Sequence, residues 1–412
     1  MAQFPFAERT PNELSLAERD ERYAQLHEWP ERVYQHNSGL LMVWKYGDVK
    51  EVLEAEVPGI SNANSLDPLV GFPRIMANPR AIPPFLRHLI PLPAKATANL
   101  TDDGLHKKVW DRMAGPGGHF TVPPQERGER AEAMRAHFHQ EVARFRAGDA
   151  LDVTGLSVAF AAHITGSAVG LPPEDWTRVA TWSGAQSGLL GQWMRGRDLA
   201  DAVEALGQLF TVSGNAIRGD RATGFAAHLQ GTDIPRRVAV AAMANSLAAG
   251  VHTVAGTIQQ GVQRLLSHPQ RIWWSMLSDP DGARTVSGRI LQLDPGLVAW
   301  KRRATRRVTL SSGTTLGPGP ILVMFAAANR DPDAFRDPYD LDSGGKLPLT
   351  FGFGKHVCPG KQLANLAVEV FLRELHALAP EARSIPPTPA PGLRRRDLLF
   401  SGADVSITPV RG

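Results

Sequence analysis

The chain has 412 residues, and 43% of them are hydrophobic, so it can bury the large core of one big domain or of two smaller ones. No stretch approaches the ~20 uninterrupted apolar residues of a membrane span, and the N-terminus lacks the layout of a signal peptide, so we expect no membrane partner. The net charge of +4 is modest and the basic clusters at 301–303, 306–307 and 394–396 lack a binding motif around them, which argues against a nucleic-acid partner.

Helical periodicity dominates the chain. In chain order the apolar patterns predict a strand at 41–44, a proline-rich stretch of poor periodicity at 60–100, helices at 126–146, 154–170, 197–218, 236–267 and 281–293, a strand at 321–325 and a helix at 359–379. No repeat, low-complexity tract or linker divides them. The pattern therefore predicts a single domain over 1–412, mainly α with minor β.

The long helix predicted at 236–267 contains a small pair, Ala249 and Gly250, followed by His252 and Thr253. A glycine in mid-helix costs roughly 1 kcal/mol, so it needs a reason. Thr253 can hydrogen-bond to the preceding turn, which bends a helix and opens a groove beside it. His252 can relay protons near neutral pH, or it is an ordinary polar residue.

Cys358 is the single cysteine of the chain. It cannot form an internal disulfide, which fits a reducing cytosol, so we expect a cytoplasmic protein. Its role is therefore a single-ligand metal contact, a nucleophile or inert filler. The surrounding glycines favour the first, because they let the backbone approach a flat ligand closely. Pro359 suits the start of a helix, whose positive end would keep a nearby thiolate deprotonated.

The stretch 351–360 resembles the haem-ligand loop of the cytochrome P450 family, F-x-x-G-x-x-x-C-x-G. The motif is matched at Phe351, Gly354, Cys358 and Gly360. The resemblance covers nearly the whole chain and implies the triangular prism fold of that family. It also implies haem b (iron protoporphyrin IX) with Cys358 as the axial thiolate. By the same resemblance, 60–100 takes the place of the loop over the substrate pocket, and its length indicates a mobile lid; the alternative is an exposed irregular loop.

The small pair then resembles the family's A-G-x-[D/E]-T segment, in which the threonine helps to deliver protons to iron-bound oxygen. Ala249, Gly250 and Thr253 match it, and their small size would leave clearance beside the iron. His252 stands where an acid is common, although histidine occurs there in some members.

The resemblance also implies the residues that hold the haem: Phe351, Gly352, His356 and Gly360 in the loop, and Arg302 and His106 elsewhere. Four residues after the histidine the family often has an arginine. Trp110 takes that place here, which puts that contact in doubt.

One family feature is missing. Where an E-x-x-R pair is usual, this chain has Arg289 and Gln292, and the arginine that normally meets this pair is also absent, with only Lys346 at a shifted register. Loss of all three members indicates that other interactions replace this ion-pair network, because a buried charge network that loses only some of its members costs several kcal/mol. We expect the fold and the haem to survive, with altered rigidity on the thiolate side.

The resemblance implies a haem-thiolate monooxygenase that oxidises a small molecule with dioxygen and with electrons from a separate ferredoxin and ferredoxin reductase. A basic face could dock such an acidic carrier. Secondary metabolite biosynthesis is the usual setting of such enzymes. Two alternatives stay open: a haem-thiolate enzyme for peroxide-driven oxidation or oxidative coupling, and a non-catalytic haem protein. The substrate is not readable, although Trp182, Leu189, Leu190 and Trp193 fit either an apolar pocket wall or plain core.

Overall fold

The structure is a computed structural model that describes residues 3–54, 57–90, 93–95, 99–101, 103–220, 222–267, 269–385 and 396–410. Its helices are α1 Leu16–His27, α2 Tyr46–Leu53, α3 Phe72–Met76, α4 Ile82–His88, α5 Asp103–Ala114, α6 Arg127–Phe145, α7 Val153–Val169, α8 Pro173–Gly191, α9 Gly196–Arg218, α10 Gly224–Leu229, α11 Arg236–Leu265, α12 Ile272–Met276, α13 Pro280–Leu293, α14 Phe325–Ala328 and α15 Lys361–Leu378. Its strands are β1 Val33–Gln35, β2 Leu41–Val43, β3 Ile60–Ser61, β4 Arg146–Ala147, β5 Ala150–Asp152, β6 Trp300–Ala304, β7 Val308–Thr309, β8 Thr315–Leu316, β9 Gly319–Val323, β10 Arg383–Ile385 and β11 Ser406–Thr408.

The fold is mainly α with minor β, as predicted. The six helices expected from the apolar patterns are confirmed as α6, α7, α9, α11, α13 and α15, each within two residues at both ends. Apolar residues at helical spacing set these bounds because each helix buries a stripe against a neighbour.

Helix α11 is the centre of the helical layer, and α7, α8, α9 and α15 pack around it. Its C-terminal half joins the largest core cluster through Ile258, Val262 and Leu265, together with Phe160 and Phe371 of its neighbours. Among the described residues, α11 is the one unbroken helix long and apolar enough to cross a membrane, but half of its apolar window is buried within the fold. Its apolar character is therefore explained by its central position.

A five-stranded sheet of order β1-β2-β9-β6-β3 lies beside the helices. Strands β2 and β9 are parallel, and the other pairs are antiparallel. The strand predicted at 321–325 starts at Gly319 and ends at Val323, because Phe325 already begins α14. Strand β6 carries Arg302, which pairs in register with Ile321 of β9.

The segment 60–100 is not a wholly irregular loop. Its described residues include β3, α3 and α4, and Phe85 and Leu89 of α4 are buried against Leu199 and Val203 of α9. Both helices carry prolines in the first turn, where proline is tolerated because those N–H groups have no helical acceptor. The prolines therefore start helices that the sequence pattern did not reveal.

Candidate functional site

A largely apolar cavity lies between the middle of α11 and the loop 351–360. It is bounded further by α5, α7, α8 and β6. Ten of the residues predicted to form the haem site line this one cavity: His106, Ala249, Gly250, Thr253, Arg302, Phe351, Gly352, His356, Cys358 and Gly360. Residues more than 250 positions apart in sequence, from His106 to Gly360, thus converge on one space.

The cysteine loop is a tight backbone structure that ends at the start of α15. The amide of Cys358 donates to the carbonyl of Phe351 at 2.8 Å, and the amide of Gly352 donates to the carbonyl of Leu349 at 2.8 Å. Gly352 and Gly354 have φ of 74° and 69°, in the left-handed region that glycine adopts without strain. The loop thereby brings Cys358 close to its own beginning and opens the thiol into the cavity.

The thiol of Cys358 does not gain the low pKa that we expected from the start of a helix. Burial within the protein raises its pKa, and the hydrogen bond from Gly360 and the charge of Lys361 oppose that rise without cancelling it. Helix α15 begins only at Lys361, so its dipole acts weakly on the sulfur. Coordination by a metal would deprotonate this thiol outright.

The wall of α11 carries the small pair and the threonine. The hydroxyl of Thr253 donates to the carbonyl of Ala249 at 2.6 Å, the bond to the preceding turn that the sequence predicted. Gly250 has a reason that the sequence did not reveal. A Cβ on Gly250 would lie 2.6 Å from Cγ2 and Oγ1 of Thr165 on α7, so close helix packing demands a glycine whether or not a ligand is bound.

His252 faces away from the cavity and is not part of its wall. Its Nε2 donates to the carbonyl of Ala180 on α8 at 3.1 Å, and a Cβ on Gly184 would lie 2.9 Å from that nitrogen. Burial lowers the pKa of His252, and the bond to Ala180 opposes this. The ring is therefore a neutral contact between α11 and α8.

One end of the cavity gathers buried N–H donors, two of which lack acceptors among the described residues. Arg302 is buried, burial lowers its pKa to about 10, and its Nη1 donates to the carbonyl of Lys301 at 3.0 Å. Nε2 of His106 and Nε1 of Trp110 are buried without a partner among the described residues. Leaving such groups unpaired is costly, so this end fits an anionic ligand group such as the carboxylates of haem.

The sequence reasoning left one residue of this end in doubt and missed another. Trp110 occupies the place of the expected arginine, four residues after His106, and supplies a donor in its stead. Asn62 donates to Nε2 of His356 at 2.8 Å and so orients a ring that packs edge-to-face on His106. Nothing in the sequence marks Asn62.

The cavity wall also carries polar groups with no charge. They are Gln186, Asn245 and Ser246, and no described carboxylate contributes to the cavity wall. Of the aromatic and aliphatic residues suggested as pocket wall, only Leu190 lines the cavity; Trp182, Leu189 and Trp193 belong to core clusters.

No family model matches the chain. Over 153 residues it is 33% identical to 20-oxo-5-O-mycaminosyltylactone 23-monooxygenase of Streptomyces fradiae, covering 36% of this chain and 35% of the relative. Over 300 residues it is 27% identical to cytochrome P450 130 of Mycobacterium tuberculosis, covering 67% of this chain and 68% of the relative. Most of these alignments span about a third of the relative's length.

Solved structures share the fold over nearly the whole chain. Cytochrome P450 CREJ in complex with (4-ethylphenyl) dihydrogen phosphate superposes with a TM-score of 0.82 at 19% identity, covering 98% of this chain and 100% of that one. CalO2 superposes with a TM-score of 0.72 at 20% identity, covering 96% and 98%. At this identity the likeness shows a common fold.

Proposed function

We propose that this chain is a cytochrome P450, a haem-thiolate monooxygenase that oxidises a small organic molecule. The observation that carries the proposal is the placement of Cys358 and Thr253 in the wall of one cavity that ends in buried, unpaired N–H donors. A cavity with only the cysteine, or only the donors, would not favour this function over a structural one.

The cavity residues divide into those that would hold haem b and those that would act beside it. Cys358 would supply the thiolate ligand, and Phe351, Gly352 and Gly360 the close loop contacts. The carboxylates would be received by His106, Trp110, Arg302 and His356. When bound, the haem supplies an iron centre that binds and activates dioxygen, with electron density pushed toward it by the thiolate.

On the α11 wall, Thr253 holds a proton at Oγ1 while donating it to Ala249. A hydroxyl that donates one hydrogen bond can still accept another, so Oγ1 of Thr253 can accept a hydrogen bond from a ligand in the cavity. His252 would have to break its bond to Ala180 to reach the cavity, so we assign it the positioning of α11 against α8 rather than proton relay.

The finer parts of the proposal follow from the resemblance. We place the enzyme in the cytoplasm as a single domain over 1–412, with electrons from a separate ferredoxin and ferredoxin reductase. We also propose a role in secondary metabolite biosynthesis, which the Streptomyces fradiae relative supports by its name. The segment 60–100 would cover the substrate side, since Leu66 lines the cavity and the amide of Leu69 donates to the carbonyl of Leu189 at 2.7 Å.

Two measurements test the proposal. The reduced wild-type protein with carbon monoxide should give the red-shifted absorption band of thiolate ligation, and Cys358→Ser should abolish it. With a surrogate ferredoxin and reductase, NADH consumption should rise when a substrate is added. A wild-type protein that binds haem without the thiolate band contradicts the proposal. Turnover with hydrogen peroxide, but not with the electron carriers, would replace the monooxygenase by a peroxide-driven enzyme.

A further inference from the structure

The segment that leads into the cysteine loop is held by a buried asparagine. Oδ1 of Asn329 accepts the amide of Leu349 at 2.7 Å, and its Nδ2 donates to Oγ1 of Thr350 at 2.8 Å. Thr350 in turn donates to the carbonyl of Leu291 on α13 at 2.7 Å. Asn329 is fully buried, so the two residues before the loop are fixed to the inside of the protein and not to its surface.

Asn329 is itself fixed by Gln292 of α13 through a reciprocal pair of bonds. Nε2 of Gln292 donates to the carbonyl of Asn329 at 2.9 Å, and Nδ2 of Asn329 donates to the carbonyl of Gln292 at 2.9 Å. Oε1 of Gln292 accepts from Arg289. Because Nε2 meets a carbonyl and Oε1 meets a guanidinium, the orientation of the Gln292 amide is determined by its partners.

The network contains one cation and no carboxylate. Nη2 of Arg289 donates to the carbonyl of Pro338 at 2.5 Å, and its Nε has no partner among the described residues. Burial and the charge of Arg330 lower the pKa of Arg289 to about 10. The link from α13 to the loop therefore runs through uncharged amides, and Arg289 stands at its outer end.

We propose that Gln292 and Asn329 are positioning residues for Cys358. They form a neutral amide clamp between α13 and the end of α14, which takes the place of the missing ion-pair network and sets the point from which the cysteine loop departs. The inference rests on the proposed function, because it concerns the ligation of haem by this cysteine.

The path from the clamp to the sulfur is short. Thr350 precedes Phe351, whose carbonyl accepts the amide of Cys358 at 2.8 Å. Leu349, whose amide is held by Asn329, accepts the amide of Gly352 at 2.8 Å. A shift of the clamp therefore moves the carbonyls of Leu349 and Phe351, which accept the two loop hydrogen bonds that place the thiol in the cavity.

The chain offers a matched control in Gln259 of α11. Gln259 is also buried and also clamps two segments, since its Nε2 donates to Ser157 at 3.1 Å and its Oε1 accepts the amide of Ala403 at 3.3 Å. It does not line the cavity or contact the cysteine loop. Loss of either amide should lower the free energy of unfolding, but only loss of the Gln292 clamp should change the ligation of haem.

The experiment compares Gln292→Leu and Asn329→Leu with Gln259→Leu in three measurements: urea unfolding, the fraction of the reduced carbon monoxide complex with the thiolate band, and the rate of haem transfer to apomyoglobin. We expect the first two variants to lose part of the thiolate band and to release haem about ten- to a hundredfold faster, as for other residues that support a metal ligand. Gln259→Leu should lose stability and keep the wild-type band and haem release.

If the leucine variants do not fold, the nearly isosteric Thr350→Val keeps both amides of the clamp and removes the hydroxyl that joins Asn329 to Leu291, and a smaller loss of the thiolate band is expected. The inference is overturned if the clamp variants keep the full thiolate band and release haem within about twofold of wild type while their stability falls as in Gln259→Leu. A wild-type protein without any thiolate band would instead overturn the proposed function.

Discussion

The substitution Gly250→Ala separates two reasons for a glycine in the middle of α11. If the glycine only provides clearance for a ligand, alanine should stabilise the free protein by about 1 kcal/mol through helix propensity. The structure indicates the opposite, because the new Cβ would lie 2.6 Å from two atoms of Thr165 and 3.2 Å from its Cβ. Overpacking of this kind costs about 1–3 kcal/mol, so we expect a net loss of about 0–2 kcal/mol.

A control and a second-site change make this expectation specific. Gly288 lies in α13 with no atom within 4 Å of its hypothetical Cβ, so Gly288→Ala should stabilise by about 0.5–1 kcal/mol. Thr165→Ala removes both atoms nearest to the new Cβ. In that background Gly250→Ala should become neutral or stabilising, which gives a coupling energy of about 1–3 kcal/mol in a double-mutant cycle.

The assay is urea unfolding of all four members of the cycle and of Gly288→Ala, with the slope against denaturant compared to verify two-state behaviour. If Gly250→Ala stabilises the protein as much as Gly288→Ala does, and Thr165→Ala does not alter its effect, then helix packing does not explain the glycine. The clearance hypothesis from the sequence would then be the better account.

Three further outcomes are expected. Burial raises the pKa of Asp397 from 3.8 to about 6, although Phe400, Gln192 and Leu399 donate hydrogen bonds to it. The folded state therefore binds this proton more tightly than the unfolded state does. The free energy of unfolding should then fall by up to about 3 kcal/mol as the pH rises from about 4 to about 6. Asp397→Asn should remove this slope in unfolding experiments, and an unchanged slope would contradict the assignment. Trp110→Phe should speed haem loss by about tenfold while Trp182→Phe, in the core, should not, as haem transfer to apomyoglobin will show. His252→Gln should cost about 1 kcal/mol of stability and leave the fraction of NADH consumption that yields product nearly unchanged. Extensive loss of that coupling would instead support the hypothesis that His252 relays protons.

The sequence predicted the helices whose buried stripe is apolar, and it missed α8, whose buried stripe is largely polar. Helix α8 packs against α7, α9 and α11, and its buried positions Val179, Ser183, Gln186, Ser187 and Leu190 recur at helical spacing, but three of these five are polar. Gly184 permits the close approach of His252 of α11, and a sequence pattern reads such a glycine as a break. Helix α1 was also missed, although Ser15 and Glu18 form a capping box that marks its start.

The candidate site was predicted in its chemistry and only partly in its geometry. Motif spacing located Cys358, Thr253 and Arg302, and all three line the cavity. Spacing could not tell that His252 turns toward α8, because residues adjacent in a helix point about 100° apart and the partner that attracts the ring lies on another element. Long-range partners decide such orientations, and they are not encoded near the residue.

The distribution of charge around α13 gives a reason for an amide at position 292. Asp294 is buried just beyond this helix, and Arg19, Arg264 and Arg330 all bind it; despite burial, the charges of Arg264 and Arg19 lower its pKa to about 2. Three cations already share this carboxylate and the half-buried Asp20. Arg289 is a fourth buried cation beside this position, so an arginine at position 292 would add a fifth with no described carboxylate to pair with, at a cost of several kcal/mol. A glutamine gives the same segment a donor for the carbonyl of Asn329 without that cost, so the uncharged clamp follows from the charges that the rest of the fold has placed beside it.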